Sequence, residues 1–279
     1  GARAGSGDIN TYKLFPNIGL SRRHRRYGSL IMNNLLSLFV ASLFMLGVPT
    51  LAAETQGDHN ITVEKRTEEV KSSMTIIEKK VRDAAVKVSS STGHGSGSVI
   101  TYKDVILVLT AQHVAEGLPG DFYVVSKDNE SQLGVLIYSD ALHDIAILYM
   151  PNPLREGKPM KYDPLEGIAD VGTEITYSGY PSDHRLMTIR GSVAGYETMD
   201  LRGTQIIIHT HGWFGCSGSV VYNSKGKIVG ILWGVDVERR PSFQVIDNMV
   251  WISPIKNINL ETSLNTLCVA LNNKPKACR

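Results

Sequence analysis

Between about residue 84 and residue 252, apolar and polar positions alternate in short runs bounded by small or turn-forming residues. Runs of this kind read as β-strands. A first group comprises residues 85–88, 98–101, 104–110, 122–125, 132–138 and 145–149, with the small-residue stretch 89–97 expected as a loop. Pro151, Pro153 and Pro159 then interrupt regular structure and mark a crossover over roughly 150–170. A second group follows at 174–178, 187–196, 205–210, 219–222, 227–232 and 249–252. Two groups of short strands on either side of a proline-rich link predict an all-β fold of two barrels. The period changes at both flanks. Val63, Val70, Met74 and Ile77 stand seven, four and three apart, which predicts an amphipathic helix within 54–80. Residues 254–271 are expected to form a closing helix.

Composition alters this picture mainly at the N-terminus. The chain has 279 residues, 42% hydrophobic and 20% charged, enough for one domain of about 200 residues plus extensions. Its net charge of +2 divides into +5 over residues 1–53 and −3 over the remainder. A basic nucleic-acid footprint on the folded part is therefore excluded. Arg22, Arg23, Arg25 and Arg26 precede an uncharged run, 30–48, that exits through Pro49-Thr50-Leu51-Ala52-Ala53. That order describes a secretory signal, so export to the periplasm or the medium after cleavage is expected. A run of 19 residues can also span a bilayer, and the alternative is a retained anchor with membrane association through this segment. The organisation read from these patterns is a leader (1–53), a polar, helical pro-segment or linker (54–83), a main domain (84–260, barrels about 84–155 and 170–260) and a tail (261–279). Of the three cysteines, Cys268 and Cys278 lie ten apart and could close a loop, leaving Cys216 over. No metal-ligand spacing or phosphate-cradling loop occurs, and no cofactor is implied.

Three segments carry chemistry. His113 follows Val105-Ile106-Leu107-Val108-Leu109-Thr110-Ala111-Gln112, where an apolar strand ends in small residues. Asp144 opens the apolar run 145–148, a costly place for a carboxylate unless a buried donor pairs with it. Asp140, four residues earlier, reads as a turn residue, and His143 as structural. Ser217 lies in Gly215-Cys216-Ser217-Gly218-Ser219. In order they are His, Asp and Ser, 31 and 73 residues apart. A serine hydroxyl needs a base within hydrogen-bond reach, and that base needs an acid to fix its tautomer. Gly215 permits a backbone conformation in which its N–H turns inward beside that of Ser217, a pair of donors suited to an oxyanion.

These segments resemble the trypsin-like, chymotrypsin-fold serine endopeptidases over roughly residues 84–260. The stretch from Ser217 to Gly234, with its Trp233-Gly234 pair, is similar to bacterial glutamyl endopeptidases. Gly95-Ser96-Gly97-Ser98-Val99-Ile100 looks more like HtrA-type peptidases, and Thr210 with Gly215 and Ser217-Gly218 is similar to RNA-virus serine proteases. The resemblance implies two six-stranded antiparallel β-barrels with a C-terminal helix, and peptide hydrolysis through an acyl-enzyme. It implies a triad of His113, Asp144 and Ser217, with Gly215 and Ser217 forming the oxyanion hole. It also implies a polypeptide substrate added as a β-strand along Ile231-Leu232-Trp233-Gly234, with His211 and Trp213 lining the pocket. Two departures stand out. Cys216 occupies a position usually Asp or Asn, and Leu232 a position that is histidine in glutamyl endopeptidases. Acidic specificity is therefore not carried over, and an apolar or small side chain before the cut is expected. Cys216 as nucleophile is a weaker reading, because the glycine expected after the nucleophile follows Ser217. An inactive protease-like binding or chaperone module, and a membrane-tethered viral or phage polyprotein-processing protease, are the alternative functions.

Overall fold

Thr75 starts the first element. Its hydroxyl accepts the Glu78 N–H at 3.1 Å and the Glu78 carboxylate accepts the Thr75 N–H at 2.6 Å. This reciprocal cap satisfies two otherwise unpaired donors and begins helix α1 (Ile76–Ala84). The structure is a computed structural model and describes residues 73–238, 243–272 and Cys278. The leader and most of the expected 54–80 helix lie outside those residues. Within them the helix begins at Ile76 and runs on to Ala84. Among the described residues, no helix is long and apolar enough to cross a membrane.

At the end of α1, the buried Lys127 ammonium donates to the Arg82 and Ala85 carbonyls at 2.7 and 2.8 Å. Burial pushes its pKa down to about 8. The start of α1 is held by an ion pair between Glu78 and Arg190.

The first barrel comprises β1 (Ala85–Ser89), β2 (His94–Tyr102), β3 (Val105–Thr110), β4 (Phe122–Lys127), β5 (Glu130–Asp140) and β6 (Ile145–Tyr149). They pair antiparallel in the order β1-β4-β5-β6-β3-β2, and β2 closes on β1. A two-residue strand, β7 (Met160–Lys161), adds parallel to β2. The second barrel comprises β8 (Glu174–Gly179), β9 (Met187–Met199), β10 (Gly203–His209), β11 (Val220–Asn223), β12 (Ile228–Glu238) and β13 (Gln244–Pro254). It closes in the order β10-β13-β12-β11-β8-β9. Two six-stranded antiparallel barrels are thus present, as the alternation predicts.

One boundary differs in an instructive way. The expected loop 89–97 is strand from His94 onward. A Cβ on Gly95 would stand 2.4 Å from Val114 Cγ2 and 2.8 Å from the Ser217 carbonyl. Glycine there serves a close approach between segments, not a turn. The last helix among the described residues is α2 (Leu260–Ala270), capped by the Asn259 side chain. Leu260, Leu264 and Leu267 of α2 join the first barrel's core. The end of this helix is closed by a Cys268–Cys278 disulfide.

Candidate active site

His113 and Asp144 belong to the first barrel, three residues beyond one strand and one residue before another, and those two strands pair with each other. β3 ends at Thr110, β6 begins at Ile145, and Thr110 lies opposite Ala146. This register brings the carboxylate of Asp144 to both the ring and the main chain of His113. The His113 Nδ1 lies 2.8 Å from Asp144 Oδ2, and the His113 N–H donates to Oδ1 at 2.9 Å. Asp144 is buried and adopts a left-handed backbone with φ of 58°. Burial opposes its ionisation, but the two hydrogen bonds from His113, with help from the charge of Arg202, hold its carboxyl below the usual carboxylate range. The neighbouring Asp140 is occupied elsewhere. It accepts the Leu142 and His143 N–H groups and the His143 ring at 2.7–3.1 Å, closing the turn before Asp144.

Ser217 comes from the second barrel, on a bend whose contacts reach the same place. The Ser96 N–H donates to the Ser217 carbonyl at 2.7 Å. A Cβ on Gly218, which has φ of +88°, would stand 2.1 Å from the Ser96 carbonyl, 2.3 Å from Thr110 Oγ1 and 2.9 Å from the Ala111 nitrogen. The bend is therefore wedged against the segment that carries His113 two residues on. The three segments read as chemical converge at the junction of the barrels.

The peptide units around Ser217 have a defined orientation. The Phe214 carbonyl accepts the Ser182 N–H at 2.7 Å, and the Gly215 carbonyl accepts the Ser96 hydroxyl at 2.7 Å. In a trans peptide the N–H opposes the carbonyl, so the Gly215 N–H faces away from Ser182. The Cys216 carbonyl likewise accepts the Ser219 N–H at 3.0 Å, turning the Ser217 N–H the other way. Among the described residues, neither the Gly215 nor the Ser217 N–H has an acceptor. The Cys216 N–H bonds back to the Trp213 carbonyl at 3.0 Å, and Gly215 takes φ of +88° at the third position of that turn, as a type II turn requires.

Cys216 itself points into the second barrel's core, where it is fully buried and its thiol pKa is raised by burial. A neutral, enclosed thiol is a poor nucleophile, so the cysteine alternative does not fit.

The residues expected to meet substrate are dispersed. Leu232 turns its side chain into the second-barrel core, while its N–H bonds the Ser219 carbonyl and its carbonyl accepts the Gly218 N–H. Only its main chain serves the bend. Trp233 is the extra residue of a bulge, since Leu232 pairs with Ile252 and Gly234 with Trp251. Its ring packs beside Trp251 at 5.9 Å and donates to Gln205 Oε1 at 3.0 Å. Gly234 has open space where a Cβ would be. His211 is exposed at the rim, 3.4 Å from Asp247, and Trp213 is exposed, edge-on to Phe214. Between them, Gly212 is closely packed by Val235 and Val250. Sequence reasoning missed the roles of Ser96 and Ser182. The small-residue motif 95–98 was a signal for the first; nothing local marked the second.

Residues 95–231 match the model of the trypsin-like peptidase domain. The glutamyl endopeptidase of Staphylococcus aureus is 29% identical over 167 residues, covering 53% of this chain and 50% of that protein. The pro-apoptotic serine protease NMA111 of Meyerozyma guilliermondii is 28% identical over 170 residues, covering 56% of this chain and 17% of that one. The chain thus spans half or less of the length of these relatives. Among solved structures, the active form of the Rv3671c protease from M. tuberculosis aligns with a TM-score of 0.54 at 17% identity. That alignment covers 68% of this chain and 83% of the other, a likeness of fold.

Proposed function

We propose that the chain is a serine endopeptidase working through an acyl-enzyme, a reading supported by the match of residues 95–231 to the trypsin-like peptidase domain. His113 accepts the Ser217 proton as the hydroxyl attacks the peptide carbonyl, then returns it to the leaving amine. Asp144 holds the imidazole through Nδ1 and steadies the imidazolium. The Gly215 and Ser217 N–H groups receive the oxyanion. The observation that carries this reading is the orientation of the 214–216 peptides, with two N–H groups left without an acceptor beside the serine.

Substrate would add as a strand along β12. Beyond Leu232, whose main chain is bonded to Gly218 and Ser219, the β11 side of that strand has no pairing partner among the described residues, and an open edge favours β-augmentation. The valines packed on Gly212 support a preference for a small apolar side chain before the cut. The basic, apolar and small-residue order of residues 22–53 and the Cys268–Cys278 disulfide support action in an oxidising, extracytoplasmic compartment.

The test is Ser217→Ala. Peptide hydrolysis should fall by roughly ten-thousand-fold or more with the melting temperature little changed, and a fluorophosphonate should label the parent protein but not the variant. A folded Ser217→Ala protein that still cleaves at the parental rate would end the assignment.

A further inference from the structure

Arg202 stands in the turn between β9 and β10, and its guanidinium lies 4.5 Å over the ring of Trp233. Its Nη1 is closed off from solvent and has no hydrogen-bond partner. None of the ion pairs among the described residues includes it, although its charge bears on Asp144 from beyond contact distance. Removing a guanidinium partly from water without a carboxylate in contact costs more than a cation–π contact returns. A cation held this way is incomplete by itself. Its rigid fork matches a planar carboxylate, and the ring on which it lies belongs to Trp233 of β12.

Resting on the serine endopeptidase reading, we propose that Arg202 is a specificity-determining residue that receives an acidic side chain of the substrate strand lying along Trp233-Gly234. This selection is separate from the residue at the cut, whose surroundings at Gly212, Val235 and Val250 are apolar. One chain would then combine a small residue at the cleavage point with a carboxylate a short distance away.

The experiment scans a single Glu, against isosteric Gln, through each position of a cleavable peptide. At one position within a few residues of the cut, Glu should raise kcat/KM by about tenfold, and the advantage should shrink with added salt. Arg202→Gln should abolish the advantage and Arg202→Lys should keep part of it. The same Glu and Gln peptides, titrated onto folded Ser217→Ala protein, report the preference without turnover. If no position discriminates in either assay, or if the preference survives Arg202→Gln, the proposal fails. It also fails if the only effect of Arg202→Gln is a shift of the pH–rate profile equal for both peptides, which would place the charge solely in service of Asp144. Discriminating binding by a parent protein that cuts nothing would instead overturn the peptidase reading alone.

Discussion

Adding one methyl group at Gly218 tests the convergence of the site directly. Its φ of +88° strains any L-side chain, and the new Cβ would meet the Ser96 carbonyl at 2.1 Å and Thr110 Oγ1 at 2.3 Å. The backbone strain costs about 1–2 kcal/mol. The contact is the larger problem, because ordinary van der Waals separation begins near 3.4 Å and the obstacle is main chain. Bend and β3 must separate by roughly 1 Å, and a misplacement of that size in reacting groups costs about a hundredfold in rate. Gly218→Ala should therefore lower kcat/KM by about a hundredfold, equivalent to ~2.7 kcal/mol of transition-state stabilisation. Gly172→Ala is the matched control, with φ of +86° and nothing within 4 Å of the added Cβ. It should show the 1–2 kcal/mol stability loss with unchanged activity. Thermal melts give the stabilities, and peptide hydrolysis normalised to titrated active sites gives the rates. If Gly218→Ala matched Gly172→Ala in both, Ser217 would not depend on the packing of its bend against the His113 segment.

Two further perturbations address the surroundings of the site. Ser96→Ala leaves the Gly215 carbonyl and the Tyr180 N–H without the hydroxyl that joins them. A buried group left unpaired costs about 1–3 kcal/mol, so the 214–216 peptides are freed to reorient. We expect kcat to fall by about ten- to a hundredfold with KM little changed, and the affinity for a boronate transition-state analogue to fall in parallel. Unchanged boronate affinity would remove Ser96 from the positioning of the oxyanion donors. Glu78 concerns acid stability. The hydrogen bond from Arg190, opposed by burial and aided by Thr75, lowers its pKa from 4.5 to about 2. A carboxyl depressed on folding stabilises fully above its unfolded pKa, and that contribution is lost as pH falls from about 4.5 towards about 2. Glu78→Gln should thus be less stable near neutrality by about 1.5–3 kcal/mol, with the difference closing by pH 2 in denaturant titrations. A constant difference across that range would refute the linkage.

Much of the architecture was legible because barrel strands carry their own periodicity. Residues 105–110 and 145–149 alternate or run apolar wherever they lie, and Pro151, Pro153 and Pro159 separate the two groups. His113, Asp144 and Ser217 were legible as candidates because each stands beside a local pattern of small or apolar residues that a strand end or tight bend requires. Helix α1 was only partly legible, since its start depends on a side-chain cap at Thr75 and its end on a lysine, Lys127, more than forty residues away.

The sequence alone determined where most of the strands lie and which three side chains are candidates for acyl transfer, since those properties reside in short stretches. Tertiary structure alone decided that Gly95 is strand, that Leu232 offers only its main chain, and that Cys216 is enclosed. It also decided that Ser96 orients a peptide 119 residues away and that Arg202 lies on Trp233. These depend on the closure of two barrels, which brings distant atoms within hydrogen-bond range, and hydrogen bonds and desolvation act through space regardless of separation along the chain.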